Sequence, residues 1–199
     1  YTKLMPHIHT SPGQRDMTVS AYIIRYESGE YKCLVHFHRK IDKLMQVGGH
    51  IELDENPWQS IAHELMEESG YALGELEILQ PYDSLPDGIG SVFHPTPYLS
   101  NTHSVGDDHY HSDSCYAFVA KTEPNNLVAD GESQDIRWLS LKELEASAEL
   151  GDVLRDCYRI YKHIVSHVDQ MNRVPASSFS LEMPASAEIS YKRGRPSES

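Results

Sequence analysis

Long apolar runs are missing from this chain. No stretch approaches the roughly 18 residues that a membrane-spanning helix needs, and no signal peptide is visible. Cysteine is scarce. Cys33, Cys115 and Cys157 are far apart, and an odd, sparse set fits reduced thiols in a cytoplasm better than a disulfide framework. Positive charge is short as well: 17 Lys and Arg stand against 30 Asp and Glu, a formal net charge of -13. Proteins that bind a long nucleic acid usually carry a basic footprint, so this balance argues against that class of partner. A small phosphate ligand stays open, because a metal ion can bridge acid to acid. The 199 residues suffice for one domain with a full core plus tails, and no internal repeat is visible.

Taken in order, residues 1–15 are polar, broken by Pro6, Pro12 and Gly13, and read as an N-terminal arm. Residues 17–26 and 31–38 are strand-like on either side of a Ser28-Gly29 turn, which makes a hairpin. Short strands are expected at 44–47, 76–79, 114–121 and 136–139. The stretch 81–112, with four prolines and many polar residues, reads as a long irregular loop. A short helix begins at Leu141 behind Ser140, and 152–168 has helical spacing. The domain is therefore expected over 16–168. Residues 169–199, rich in Ser, Pro and charge, read as a polar C-terminal tail. Strands flanking one mid-chain helix, with a second helix at the end, suggest a mixed sheet between helices.

What is abundant is acid at fixed spacing. In the stretch 48–71, a double glycine leads through Glu52 and Glu55 to a well-signalled helix. Asn56 suits the N-cap, Pro57 the first helical position and Gln59 the capping box, and Gly70 suits the C-terminal stop. Trp58, Ile61, Ala62, Leu65 and Met66 form an apolar stripe for a core. Glu64, Glu67 and Glu68 fall at i, i+3 and i+4 on the opposite side, so their carboxylates converge. Like charges that close destabilise a bare helix and raise carboxyl pKa values; a hard cation such as Mg²⁺ or Mn²⁺ reverses both penalties. A solvated acidic helix face is the plain reading of three glutamates alone.

The whole stretch decides between them. It resembles the Nudix box, G-x5-E-x7-R-E-U-x-E-E-x-G-U with U a bulky apolar residue. Gly49, Glu55, Glu64, Leu65, Glu67, Glu68, Gly70 and Tyr71 match, and His63 stands at the arginine position. Six fixed Gly and Glu positions, each at a frequency of roughly 5–7 %, match by chance in on the order of one chain in 10⁵ or fewer. Resemblance to the Nudix hydrolases covers about 16–168 and implies an α/β fold, the Nudix-type α/β/α sandwich with a mixed β-sheet. It also implies hydrolysis of a pyrophosphate bond in a nucleoside diphosphate linked to a further group, with a small nucleotide-type substrate.

The same resemblance assigns residues. Glu64, Glu67, Glu68 and the Gly48 carbonyl would hold Mg²⁺ or Mn²⁺, and Glu64 or Glu132 would act as base. His63 would orient Glu67 without the bidentate fork of arginine. Apart from the resemblance, Arg39 and Lys40, just before the box, are candidates for phosphate contact, with a plain exposed strand end as the alternative. Twelve histidines include three His-x-His pairs, His7/His9, His36/His38 and His109/His111. The last pair, followed by Asp113, reads as lining of a substrate pocket; zinc or iron binding and simple surface histidines are the alternatives. Pro86 falls where ADP-ribose hydrolases of the family often carry proline, yet Pro86-Asp87-Gly88 is a sufficient turn by itself. A rival function is a Nudix-derived sensor or scaffold that binds a nucleotide without cutting it. A homodimer stays open.

Overall fold

A computed structural model describes residues 10–83, 85–86, 91–106 and 108–184. The His7/His9 pair and the chain beyond 184 lie outside the described residues. A nine-stranded mixed sheet runs through the middle. It is built from β1 (Arg15–Glu27), β2 (Glu30–His38), β3 (Lys43–Met45), β4 (Val47–His50), β5 (Leu76–Gln80), β6 (Leu99–Gly106), β7 (His109–Ala120), β8 (Ile136–Ser140) and β9 (Asn172–Pro175). The main path is β3-β2-β1-β7-β5-β9, with β4 on β1, β6 on β7 and β8 on β2. The pair β1–β7 is parallel, Asp16 opposite His111 and Thr18 opposite Asp113. Both central strands are long enough to take two partners along one edge. The first half of β1 pairs with β4 and its second half with β2. The first half of β7 pairs with β6 and its end with β5.

Helix α1 (Pro57–Ser69) covers one face, and α2 (Leu141–Leu150) with α3 (Arg155–His167) covers the other. Strand alternation sorts β1 between two cores. Val19, Ala21 and Ile23 join Trp58, Ile61 and Leu65 beneath α1. Tyr22 and Ile24 join Leu144, Tyr161 and Ile164 beneath α2 and α3. This is the expected α/β/α sandwich. Among the described residues no helix is long and apolar enough to cross a membrane. All three cysteines are free and buried.

Two segments depart from the sequence reading. The expected loop 81–112 contains β6 and the start of β7, which pair antiparallel, with Asp108 at φ 56° just before β7. Apolar alternation does not announce this hairpin, because the inward positions of β7 are His109, His111 and Asp113. The chain past Val168 also stays on the domain. β9 pairs with β5, Ala176 and Phe179 enter the core beneath α1, and the Phe179 carbonyl accepts from the Trp58 indole at 3.4 Å. The Leu181 carbonyl accepts from the Gln59 amide at 2.8 Å, so the segment straps the start of α1. One buried phenylalanine among serines and prolines is too little pattern to reveal an anchor.

Candidate active site

Helix α1 begins as its capping residues direct. The Asn56 side chain accepts from the Trp58 and Gln59 amides at 2.9 Å each, and Gln59 returns the bond to the Asn56 amide at 3.0 Å. It ends at Gly70, whose φ of +74° and whose contact with the Asn126 carbonyl leave no room for a side chain. Trp58, Ile61 and Leu65 are fully buried. Met66, expected in that stripe, is 37 % exposed, while Glu68 is buried at 6 %. The reason is geometric: 61, 65 and 68 follow one another at i, i+4, i+7, so Glu68 continues the buried row. Glu67 stays half exposed, while the Glu64 and Glu68 carboxylates face the seam between helix and sheet.

The glycine pair of β4 receives them. The Gly48 amide donates to Glu68 Oε2 at 2.9 Å. Glu64 lies flat on Gly49, so close that a Cβ there would stand 2.0 Å from Glu64 Oε1. His36, buried on β2, places Nε2 3.4 Å from Glu68 Oε2. Burial pushes the Glu64 carboxyl up to about 7, and the Glu67 charge adds to it. Burial pushes Glu68 up to about 8 against the pull of the Gly48 amide. Burial also lowers His36 to about 4. With Glu68 raised and His36 lowered, the two side chains touch without an ion pair near neutral pH, and His36 Nε2 makes no hydrogen bond there. Such a pocket holds its negative charge poorly unless a cation shares it.

His63 sits on the exposed side of α1 and bridges two glutamates, with Nε2 3.0 Å from Glu67 Oε1 and Nδ1 3.3 Å from Glu55 Oε1. Partial burial alone would lower its pKa, but the Glu67 and Glu55 carboxylates prevail and raise it. Glu132 is near enough that its charge raises both Glu64 and Glu68. Arg39 does not reach into the cluster. Its guanidinium donates to the Gly131 and Glu132 carbonyls at 3.0 and 3.2 Å, clamping the loop that carries Glu132. Lys40 is exposed beside it.

His109 and His111 are not brought to this cluster. They point to the sheet face away from α1, where they meet His50 and Asp16. Sequence reasoning missed His36 as the partner of Glu68 and gave His50 no role. The signal for both is parity. His36 follows Leu34 onto the α1 face of β2, while His50 follows Gly49 and must turn the other way. On the α1 side of β1, β6 and β7 a shallow cavity of about 400 Å³ is lined by Met17, Ser100, Thr102, Ser112 and Ser114, among others.

The fold recurs among solved structures. A NUDIX-family hydrolase from Clostridium perfringens is 23 % identical with a TM-score of 0.62, covering 78 % of this chain and 99 % of that one. The NUDIX domain of Shewanella oneidensis NrtR, in complex with ADP ribose, is 15 % identical with a TM-score of 0.55, covering 78 % and 89 %. An Ap4A hydrolase from C. elegans, in a binary complex, is 16 % identical with a TM-score of 0.55, covering 76 % and 98 %. At these identities the likeness is one of fold. No curated protein matches the chain. The family model for the NUDIX domain spans residues 15–159, which takes in strands β1 to β8, the carboxylate helix and Glu132, and on that match the chain belongs to the NUDIX domain family.

Proposed function

We propose that the chain hydrolyses a pyrophosphate bond in a small nucleotide, a nucleoside diphosphate joined to a further group, in a Mg²⁺- or Mn²⁺-dependent reaction. It is a Nudix-type pyrophosphohydrolase whose metal-holding groups are Glu64, Glu67, Glu68 and the Gly48 carbonyl. The observation that carries this reading is the fit of helix to loop: Glu68 is bonded to the Gly48 amide, and Glu64 fills the space that Gly49 leaves for lack of a Cβ. Oxygen donors crowded into a half-buried seam suit a hard divalent ion, and the residues present fit one. Bound there, the ion supplies neutral balance to the phosphate oxygens, orientation to the water and relief of charge on the leaving phosphate.

The chain's own residues supply the rest. Glu64, seated against Gly49 beside the carbonyl-bearing strand end, is the first candidate to take the proton of the attacking water. Glu132 is the second reading for that role, favoured by the grip of Arg39 on its loop. His63 holds Glu67 and Glu55 in place, the orienting task that arginine performs in the family's box. That contact favours a working enzyme over a sensor that binds without cutting. Arg39 and Lys40 lie beside the loop of Glu132 as candidates for phosphate contact. The ADP ribose held by the Shewanella domain and the Ap4A hydrolase of the same fold support a phosphoanhydride substrate. Three free, buried thiols fit a reducing cytoplasm.

The test is a panel of nucleotide pyrophosphates, including ADP-ribose, a dinucleoside tetraphosphate and nucleoside triphosphates, incubated with and without Mg²⁺. Released monophosphate or phosphate that needs the ion and is lost in Glu68→Gln supports the proposal. Binding without cleavage across the panel would favour the sensor.

A further inference from the structure

The face of the sheet turned away from α1 carries a second polar cluster that the hydrolytic reading leaves without a role. Gly49 of β4 meets Glu64 on one side, and the next residue, His50, points to the other. There it joins His109 and His111 of β7, and all three offer ring nitrogens within 4.8 Å of one another. His109 and His111 are only 4 % and 7 % exposed. Asp16 of β1, 2 % exposed, lies directly opposite His111 in the parallel register. We infer that His50, His109, His111 and Asp16 form a metal centre for Zn²⁺, separate from the carboxylate cluster of α1.

The distances suit that ion. Zinc–nitrogen and zinc–oxygen bonds of about 2.0–2.1 Å put the corners of a tetrahedron about 3.4 Å apart. His109 Nε2 stands 3.1 Å from His111 Nε2 and 3.2 Å from Asp16 Oδ2. His50 Nε2 stands 4.0 Å from Asp16 Oδ2, and the three histidine nitrogens lie within 4.8 Å of one another with Asp16 at the edge of the group, so side-chain shifts of about 1 Å bring the donors to tetrahedral spacing. Three imidazoles and one carboxylate make a borderline donor set, which favours zinc-like ions over Mg²⁺ or Ca²⁺. The hard ion of the α1 cluster and the ion of this centre are therefore selected by different chemistry.

The neighbours leave the set intact. Asp113, two residues on from His111, is not a ligand. It accepts from Thr18 at 3.0 Å, Ser20 at 2.8 Å and the Cys115 thiol at 3.0 Å. His103 of β6 bonds to Asn101 at 2.8 Å and packs its ring against His111 at 5.3 Å, outside the donor set. The four donors come from three adjacent strands whose pairing already holds them together. A bound ion would thus staple β4, β1 and β7 on the sheet face opposite α1. A hydrogen-bonded knot of histidines without metal is the competing explanation, and it predicts no metal uptake.

The test uses the full chain, stripped with a chelator and titrated with Co²⁺, which reports tetrahedral nitrogen-rich sites by intense visible absorption. Glu68→Gln serves as the background in which the α1 cluster is impaired. The expected result is about one Co²⁺ per chain with tetrahedral bands, displaced by Zn²⁺, retained in Glu68→Gln and accompanied by a Tm rise of several degrees. His111→Gln and, separately, His50→Gln should each weaken uptake by about 100-fold or more. His50 is partly exposed, so its variant keeps the test valid if His111→Gln fails to fold. No tetrahedral bands in the wild type, or unchanged bands in a folded His50→Gln, would overturn the inference. Loss of bands in Glu68→Gln alone would place the ion at the α1 cluster and overturn it equally. Mg²⁺-dependent turnover is scored separately, so failure of this centre leaves the hydrolytic proposal standing.

Discussion

Replacing Gly49 with alanine separates the carboxylate geometry from the fold. The added Cβ would meet Glu64 Oε1 at 2.0 Å, its Cδ at 2.6 Å and Oε2 at 3.1 Å. Ordinary contact begins at 3.4 Å, so the Glu64 carboxylate must retreat by more than about 1 Å. Nothing else stands in the way. The clash is with the far end of a flexible side chain, and Gly49 is not among the residues with positive φ, so alanine adds no backbone strain. A misplacement of about 1 Å at a reacting group costs roughly 100-fold in rate, or about 2.7 kcal/mol in transition-state stabilisation. The expected outcome is therefore a folded variant with Tm within a few degrees of wild type and kcat/KM down about 100-fold. Steady-state hydrolysis with a Mg²⁺ titration reads the loss. Combined with Glu64→Gln, the alanine should add almost nothing, because both changes act through one carboxylate. Wild-type kcat/KM and Mg²⁺ affinity in Gly49→Ala would refute the reasoning, as would full additivity in the double variant. Gly48→Ala is the contrasting case. There the Cβ would meet the β1 backbone, the Val19 carbonyl at 2.2 Å, with φ at +150°, so the β1–β4 pairing and the Tm should suffer with the rate.

Glu68→Gln should abolish Mg²⁺-dependent turnover and leave the metal-free protein as stable as wild type or more so, since a neutral amide still accepts from Gly48 and carries no buried charge; a collapsed Tm would count against this. Glu64 and Glu68, raised to about 7 and about 8, favour folding most while protonated, so their contribution fades as pH rises through those values. His36 and His111, lowered to about 4, act oppositely below about pH 6.5, so the clean window is roughly pH 6.5–8. Across it the metal-free Tm should fall, by an amount on the order of a few kcal/mol in stability, and saturating Mg²⁺ should flatten the slope. His63→Arg should raise the rate several-fold and remove a loss of activity above the raised His63 pKa, because arginine stays charged; an unchanged pH–rate profile would show that the position does not matter. Truncation before Phe179 should lower Tm by several degrees by uncovering Trp58, read by thermal unfolding of the shortened chain.

The sequence exposed most of this site because its chemistry is local. Asn56, Pro57, Gln59 and Gly70 mark the helix bounds by rules that act over a few residues. The spacing of Glu64, Glu67 and Glu68 puts them on neighbouring turns whatever the rest of the chain does. What stayed hidden depends on pairing between distant strands. His36 reaches Glu68 only because β2 lies beneath α1, and Asp16 meets His111 only through a parallel register 95 residues apart. Polar residues also mask strands. β7 opens with His109, His111 and Asp113 at its buried positions, which reads as loop until the facing Asp16, Thr18 and His50 are known. The same holds for the strap ending at Phe179, where a single aromatic decides the packing.

The central claim is that the three glutamates of α1 and the Gly48 carbonyl grip a divalent ion and that the chain uses it to cut a phosphoanhydride. Isothermal titration of Mg²⁺ or Mn²⁺ into wild-type protein and Glu68→Gln, each with and without a nucleotide pyrophosphate, tests it most directly. The account predicts saturable uptake by the wild type, tighter with nucleotide present, and none comparable in the variant. Equal uptake by both proteins, or no uptake by the wild type even with nucleotide, would contradict it.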